Sequence, residues 1–142
     1  MHRKVAVAMA AVLALGVASC GGSDPLTKAE FTKQANAVCV KARARIERMK
    51  GAGGEIAALM QKGVAYERAK ADGIRALDAP DELKAAITEY THAITARGAY
   101  FEKASRRKKA DFGVEFTEAT TREDELAKSL GLRKCQENPG RG

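Results

Sequence analysis

The sequence predicts an all-α fold, an antiparallel up-down-up-down four-helix bundle stapled by one disulfide. Three observations point there. Alanine is abundant while the 142 residues hold only three prolines, which favours helix over sheet. Four stretches carry apolar residues at helical spacing, and the gaps between them hold glycine, proline or a capping residue. No internal repeat is evident, and no strand-like alternation competes.

The first helix begins at Thr27, where Thr27 and Glu30 have the capping-box spacing that satisfies two orphan amides. Phe31, Ala35, Val38, Ala42 and Met49 recur at helical spacing, with Cys39 and Ile46 on the same side. Gly51-Ala52-Gly53-Gly54 ends it, because such a run cannot hold helical order. A second helix is expected over 55–77, with Ile56, Leu59, Met60, Val64, Tyr66, Ile74 and Leu77 as its apolar residues. Gly63 and Gly73 weaken it, and are either merely tolerated or placed for close approach of a neighbour. Ala79-Pro80-Asp81-Glu82 is the next boundary, with proline and acids suited to a helix start. The third stripe is Leu83, Ile87, Tyr90, Ile94 and Phe101, running to about residue 108. Asp111 is the expected cap of the fourth helix, whose stripe is Phe112, Phe116, Ala119, Leu126 and Leu130. Gly131 is placed for a left-handed C-cap, with Leu132 folding back onto the helix. Residues 136–142 read as a frayed tail.

Ahead of the helices lies an address. Met1, His2, Arg3 and Lys4 form a positive start, and residues 5–17 are thirteen uncharged positions. That run is too short for a bilayer span of about 20 residues. Val17-Ala18-Ser19-Cys20 follows. The segment resembles a bacterial lipoprotein signal whose terminal cysteine is diacylated and becomes the first residue of the mature chain. The resemblance implies lipidation at Cys20, a signal over residues 1–19, a tether over 20–26 and a helical bundle over 27–135. It places the protein at the cell membrane, lipid-anchored on the extracytoplasmic face. The competing reading is ordinary cleavage near Ser19, giving a soluble secreted helical protein.

Cysteine arithmetic bears on this choice. Three cysteines leave one odd thiol in an exported chain. Lipid on Cys20 would leave Cys39 and Cys135 as an even pair in an oxidising compartment. Cys39 sits about three turns into the first helix, and Cys135 follows the chain reversal at Gly131. A bond between them is geometrically reasonable, whereas a reactive or metal-binding thiol pair lacks supporting ligands.

Phe31-Thr32-Lys33-Gln34-Ala35-Asn36-Ala37-Val38-Cys39, Leu77-Asp78-Ala79-Pro80 and Gly131-Leu132-Arg133-Lys134-Cys135 together form a pattern spread over the chain beyond the leader. The pattern is similar to that of small exported lipoproteins of high-GC Gram-positive bacteria, which are helical and mostly uncharacterised. The resemblance implies the helical fold and the cysteine pair, and it implies no activity.

Catalytic and metal motifs are sparse. Glu89-Tyr90-Thr91-His92 is a Glu-x-x-His unit, but a di-iron bundle needs two such units. His92 is the single histidine beyond the leader, which also disfavours histidine-dependent hydrolysis. We therefore expect no catalytic residue, no metal and no cofactor, and His92 in solvent. Glu123 shares the register of the fourth stripe, which sets it near the core. It is expected as a polar residue at a bundle edge, with a buried acid that has a role as the alternative.

Beyond the leader, 23 basic residues face 18 acidic ones, a formal +5. Lys41, Arg43, Arg45, Arg48 and Lys50 crowd the first helix, and Lys103, Arg106, Arg107, Lys108 and Lys109 crowd the end of the third. Cations at helix C-termini complement the macrodipole and are commonly just solvated. As a candidate basic patch, the same residues would attract anionic wall polymer or an acidic protein. Export and the lack of a recognition module disfavour nucleic acid. The functional expectation is a lipid-anchored envelope interaction or structural protein, not an enzyme, with a small apolar ligand carrier or sensor as the alternative.

Overall fold

The computed structural model describes residues 24–49, 55–107 and 113–138. Cys20, the leader, Gly51-Ala52-Gly53-Gly54, Lys50, Lys108, Lys109, Asp111 and Phe112 lie outside the described residues, as do positions 139–142. Among the described residues there are four α-helices and no strand: α1 (Lys28–Glu47), α2 (Glu55–Arg75), α3 (Lys84–Arg107) and α4 (Val114–Ser129). One 3₁₀ turn, Asp81–Leu83, leads into α3, and another, Arg133–Cys135, follows α4.

The helix starts follow local chemistry. The Thr27 hydroxyl accepts from the Glu30 amide at 3.3 Å, and the Thr27 amide donates to the Glu30 carboxylate at 2.9 Å. That is the capping box read from sequence. α4 differs: its N-cap is Gly113, which offers no side-chain acceptor. Its other end is chemically specified. Gly131 adopts φ +74°, where a Cβ would be strained. The Gly131 amide donates to the Lys128 carbonyl at 3.0 Å and the Leu132 amide to the Ala127 carbonyl at 2.8 Å, a Schellman closure. Leu132 is thereby driven into the core.

Consecutive helices pack on one another, and the Arg133–Cys135 turn packs on both α1 and α4. Gly63 and Gly73 serve close approach. A Cβ on Gly63 would stand 2.7 Å from the Phe101 ring, and one on Gly73 2.5 Å from Val38 Cγ1. Burial separates two apolar clusters among the described residues. The larger joins Phe31, Ala35, Cys39, Ile74, Ile87, Tyr90, Ile94, Leu126, Leu130 and Leu132. The smaller holds Met60, Phe101 and Ala104, with Val64, Tyr100 and Phe116 packed against it. Two residues expected in the core do not reach it, since Ile56 is 47% and Leu59 56% exposed. They occupy the first turns of α2, where the smaller cluster has too little apolar surface to cover them.

Cys39 and Cys135 form a disulfide, fully buried, between residues 96 apart in sequence. Asn36 holds the same junction: its amide donates to the Gly131 carbonyl at 3.3 Å and its carbonyl accepts from the Lys134 amide at 2.8 Å. The expectation of a tail fraying from Gln136 is corrected as far as Asn138. Asp124 accepts from the amides of Glu137 and Asn138 at 2.7 and 3.1 Å, and those bonds tie the segment down.

Closing so long a loop removes unfolded-state entropy worth about 4–5 kcal/mol in the chain-entropy account. Replacing both Cys39 and Cys135 with Ser should therefore lower the unfolding free energy in urea by about that amount. A loss under about 1 kcal/mol would show that burial and the Asn36 clamp suffice.

Candidate functional site

A layer of charge lies between the two apolar clusters. Along α2, Glu67 and Lys70 come between Met60 and Ile74. Along α3, Arg97 comes between Ile94 and Phe101, and along α4, Glu123 comes between Phe116 and Leu126. All four charged residues are buried: Glu67 1% exposed, Lys70 0%, Arg97 4% and Glu123 0%. Glu123 was expected at a bundle edge and is instead fully enclosed, because its register matches that of Leu126 and two cations face it.

Lys70 is the hub. Its ammonium lies 3.0 Å from Glu67 and 3.5 Å from Glu137, and it donates to Glu123. Arg97 completes the layer at 2.6 Å from Glu67, 3.3 Å from Glu123 and 3.3 Å from Glu137. Three acids thus surround two cations. The tyrosine hydroxyls of Tyr66 and Tyr90 are buried beside them, and the Lys70 ammonium stands 4.5 Å from the Tyr66 ring centroid. Several of these contacts are close in charge but poorly aligned as hydrogen bonds, notably at the Glu67 oxygens and at Arg97 Nε and Nη1.

Oxygens of Glu67, Glu123 and Glu137 lie within 4.8 Å of one another, a spacing that could hold a metal ion. The Lys70 ammonium already approaches all three, and Arg97 adds a second positive charge, so an added cation would meet repulsion rather than a bare acidic site.

The excess of acid over base shows in the proton affinities. Burial pushes the Glu67 carboxyl up to about 7, against the pull of Lys70 and with Glu123 adding its own negative charge. Burial disfavours the Lys70 ammonium, but Glu123 and Glu67 outweigh it and hold the group above its ordinary value. Glu137 behaves oppositely to Glu67: burial raises it, yet Arg97, Lys70 and Arg43 together bring it below the usual carboxylate range. Tyr90 is raised, by burial first and by Glu123 second.

An open groove of about 580 Å³ runs beside this layer. Its apolar wall includes Leu59, Met60, Phe101 and Phe116, and its polar end is formed by Tyr66, Arg97, Arg43 and Glu137. On the aromatic side Phe101 and Phe116 meet edge to face at 5.4 Å, and the Tyr100 and Phe116 rings are tilted at 4.9 Å between centroids.

The residues singled out from sequence fall in several places. Lys41, Arg45, Arg48, Lys103, Arg106 and Arg107 are exposed. Arg43 is exposed too but turns to the groove, 6.0 Å from the Tyr66 ring centroid, with its guanidinium donating to the Gln136 carbonyl at 3.5 Å. Arg106 pairs with Glu102. His92 is exposed, as expected, and Glu89 pairs with Arg122. Glu67, Lys70 and Arg97 went unrecognised in the sequence. Their signal was register: Arg97 falls three residues after Ile94 and four before Phe101, and Lys70 falls four before Ile74, so each lies on a stripe position.

Comparison with known proteins finds no matching family model, no similar curated protein and no similar solved structure. No helix among the described residues is long and apolar enough to cross a membrane.

The raised Glu67 makes a directional prediction. Its folded pKa of about 7 exceeds the ordinary 4.5, so its contribution to stability is fully present below pH 4.5 and is lost as pH rises toward 7. The loss is on the order of 3 kcal/mol. Glu67→Gln should flatten the unfolding free energy across that window, whereas an unchanged slope would assign the proton elsewhere. Glu123→Gln strips the main partner from buried Lys70 and should cost about 3–5 kcal/mol.

Proposed function

We propose that this protein is a lipid-anchored, extracytoplasmic helical bundle that binds a small lipophilic ligand, as a carrier or sensor, and does no catalysis. The observation that carries the reading is the groove walled by Leu59, Met60, Phe101 and Phe116, whose 580 Å³ falls in the usual range of ligand pockets. Leu59 at 56% exposure is an apolar side chain left facing water at its rim.

The bundle in this proposal runs up-down-up-down. The order of contacts supports it. On α1 and α2, Val38 meets Gly73 and Arg43 meets Tyr66. On α2 and α3, Arg75 bonds Thr95 and Gly63 meets Phe101. On α3 and α4, Arg97 pairs with Glu123 and Phe101 packs on Phe116. In each pair, one position rises while the other falls.

The anchor rests on the resemblance of Val17-Ala18-Ser19-Cys20 to a lipoprotein signal. The basic-surface reading, with anionic wall polymer or an acidic protein as partner, has less to support it. Arg43 turns to the groove and Arg106 is paired with Glu102.

Two experiments test the proposal. Cys20→Ala should move the protein from the membrane fraction to the soluble fraction, and continued membrane association would refute lipid anchoring at that residue. The neutral dye N-phenyl-1-naphthylamine should brighten on binding to the wild type. Leu59→Glu, which sets a charge at the exposed rim, should weaken that binding about tenfold. No brightening, or an unchanged affinity in the variant, would remove the groove from the account.

A further inference from the structure

The polar end of the groove has an occupant already, and its chemistry specifies a ligand. The Glu137 carboxylate lies 3.3 Å from Arg97 and 3.5 Å from Lys70, while Arg43 stands on the same side. Unlike Glu67 and Glu123, Glu137 belongs to no helix. It comes from the C-terminal segment, two residues after the Cys135 disulfide, and its side chain is 24% exposed. Glu67 and Glu123 face the two buried cations from within the helices. Glu137 completes their surroundings from the groove side.

Resting on the ligand-binding reading of the groove, we propose that it takes a single-chain amphiphile with a carboxylate head, which seats against Arg97 and Arg43 in the place held by Glu137. Glu137 is then an internal competitor, a carboxylate that keeps the cations paired when the groove is empty of ligand. The tail of such a molecule would run along Ile46, Leu59 and Phe116.

The charge argument follows from the layer. Arg97 is 4% exposed, so it cannot be left without an anion at low cost. Its guanidinium is a planar fork suited to a carboxylate, and it is Nη2 that meets Glu137, at 3.3 Å. Exchanging one carboxylate for another keeps the charge count of the layer constant. A cationic or neutral head would displace Glu137 without replacing its charge. The competitor is also tethered close to its site, which gives it an effective concentration of about millimolar. Neutralising it should therefore make room for an external carboxylate.

The test compares dodecanoate with dodecyltrimethylammonium, both below micelle formation, by titration calorimetry against the wild type, Glu137→Gln and Arg43→Gln. Dodecanoate should bind the wild type about tenfold more tightly than the cationic chain. Glu137→Gln should tighten dodecanoate about tenfold and leave dodecyltrimethylammonium no better bound. Arg43→Gln, at an exposed position, should weaken dodecanoate about fivefold. Equal binding of the two heads, or an unaltered or weaker dodecanoate affinity in Glu137→Gln, overturns the proposal. N-phenyl-1-naphthylamine separates the two readings. Dye binding without head-group selectivity overturns the carboxylate proposal alone, and absence of binding by dye and both chains overturns the groove as well.

Discussion

The structure depends on keeping two cations and their acids paired at one level inside the protein. An unpaired charge in such a place costs several kcal/mol, and the pairing offsets the cost only when the geometry is right. The members come from α2, α3, α4 and the chain end. Sliding α3 along α2 by one residue would move Arg97 by about 1.5 Å and break its contact with Glu67. Apolar contacts between alanines and leucines discriminate poorly against such slips. The charge layer does discriminate, so it sets which turns of α2, α3 and α4 face one another.

That constraint explains why the chain end is fastened so closely. Gly131 reverses the chain, Leu132 fills the core behind it, and the Cys39–Cys135 bond with the Asn36 clamp holds the turn on α1. Asp124 then accepts two successive amides and aims Glu137 inward. Each device is modest alone. Together they deliver one carboxylate to two buried cations, which no helix could do from that side. The disulfide therefore does more than close a loop, because it fixes the origin of the segment that carries Glu137.

The helices, the Thr27 cap, the Gly131 closure and the cysteine pair were legible because they rest on local rules, whereas the expected Asp111 cap gave way to Gly113. Thr27 and Glu30 are three residues apart, Gly131 follows a stripe, and two cysteines remained to be matched. The site was harder to read because its signal is an exception to a pattern. Charged residues on a stripe are usually treated as noise at the edge of an apolar face, and Glu123 was read in that way. Arg97 and Lys70 become meaningful only when three helices are overlaid and their exceptions fall at one level. Register within a helix is written in the sequence, whereas level between helices is set by packing. The tail was misread for a related reason: Gln136-Glu137-Asn138 is polar and short, and its order comes from Asp124, thirteen residues away from Glu137.

The charge layer also accounts for where an opening can exist. On its Phe31 side, among the described residues, fifteen buried residues form one continuous cluster, while on its Met60 side the buried set is three. The smaller side has little apolar surface of its own to hold the helices shut, and its rim leaves Leu59 and Ile56 facing water. Regions with few buried contacts are the ones that open at low cost. A ligand entering there would supply the burial this side lacks, without disturbing the larger cluster. The charges between them form the floor of that opening, and in the proposed mode the head of the ligand would rest on them while its tail lies against the apolar wall. A groove beside a buried ionic layer is thus a consequence of dividing a thin helical core unevenly, with charge at the boundary between the two parts.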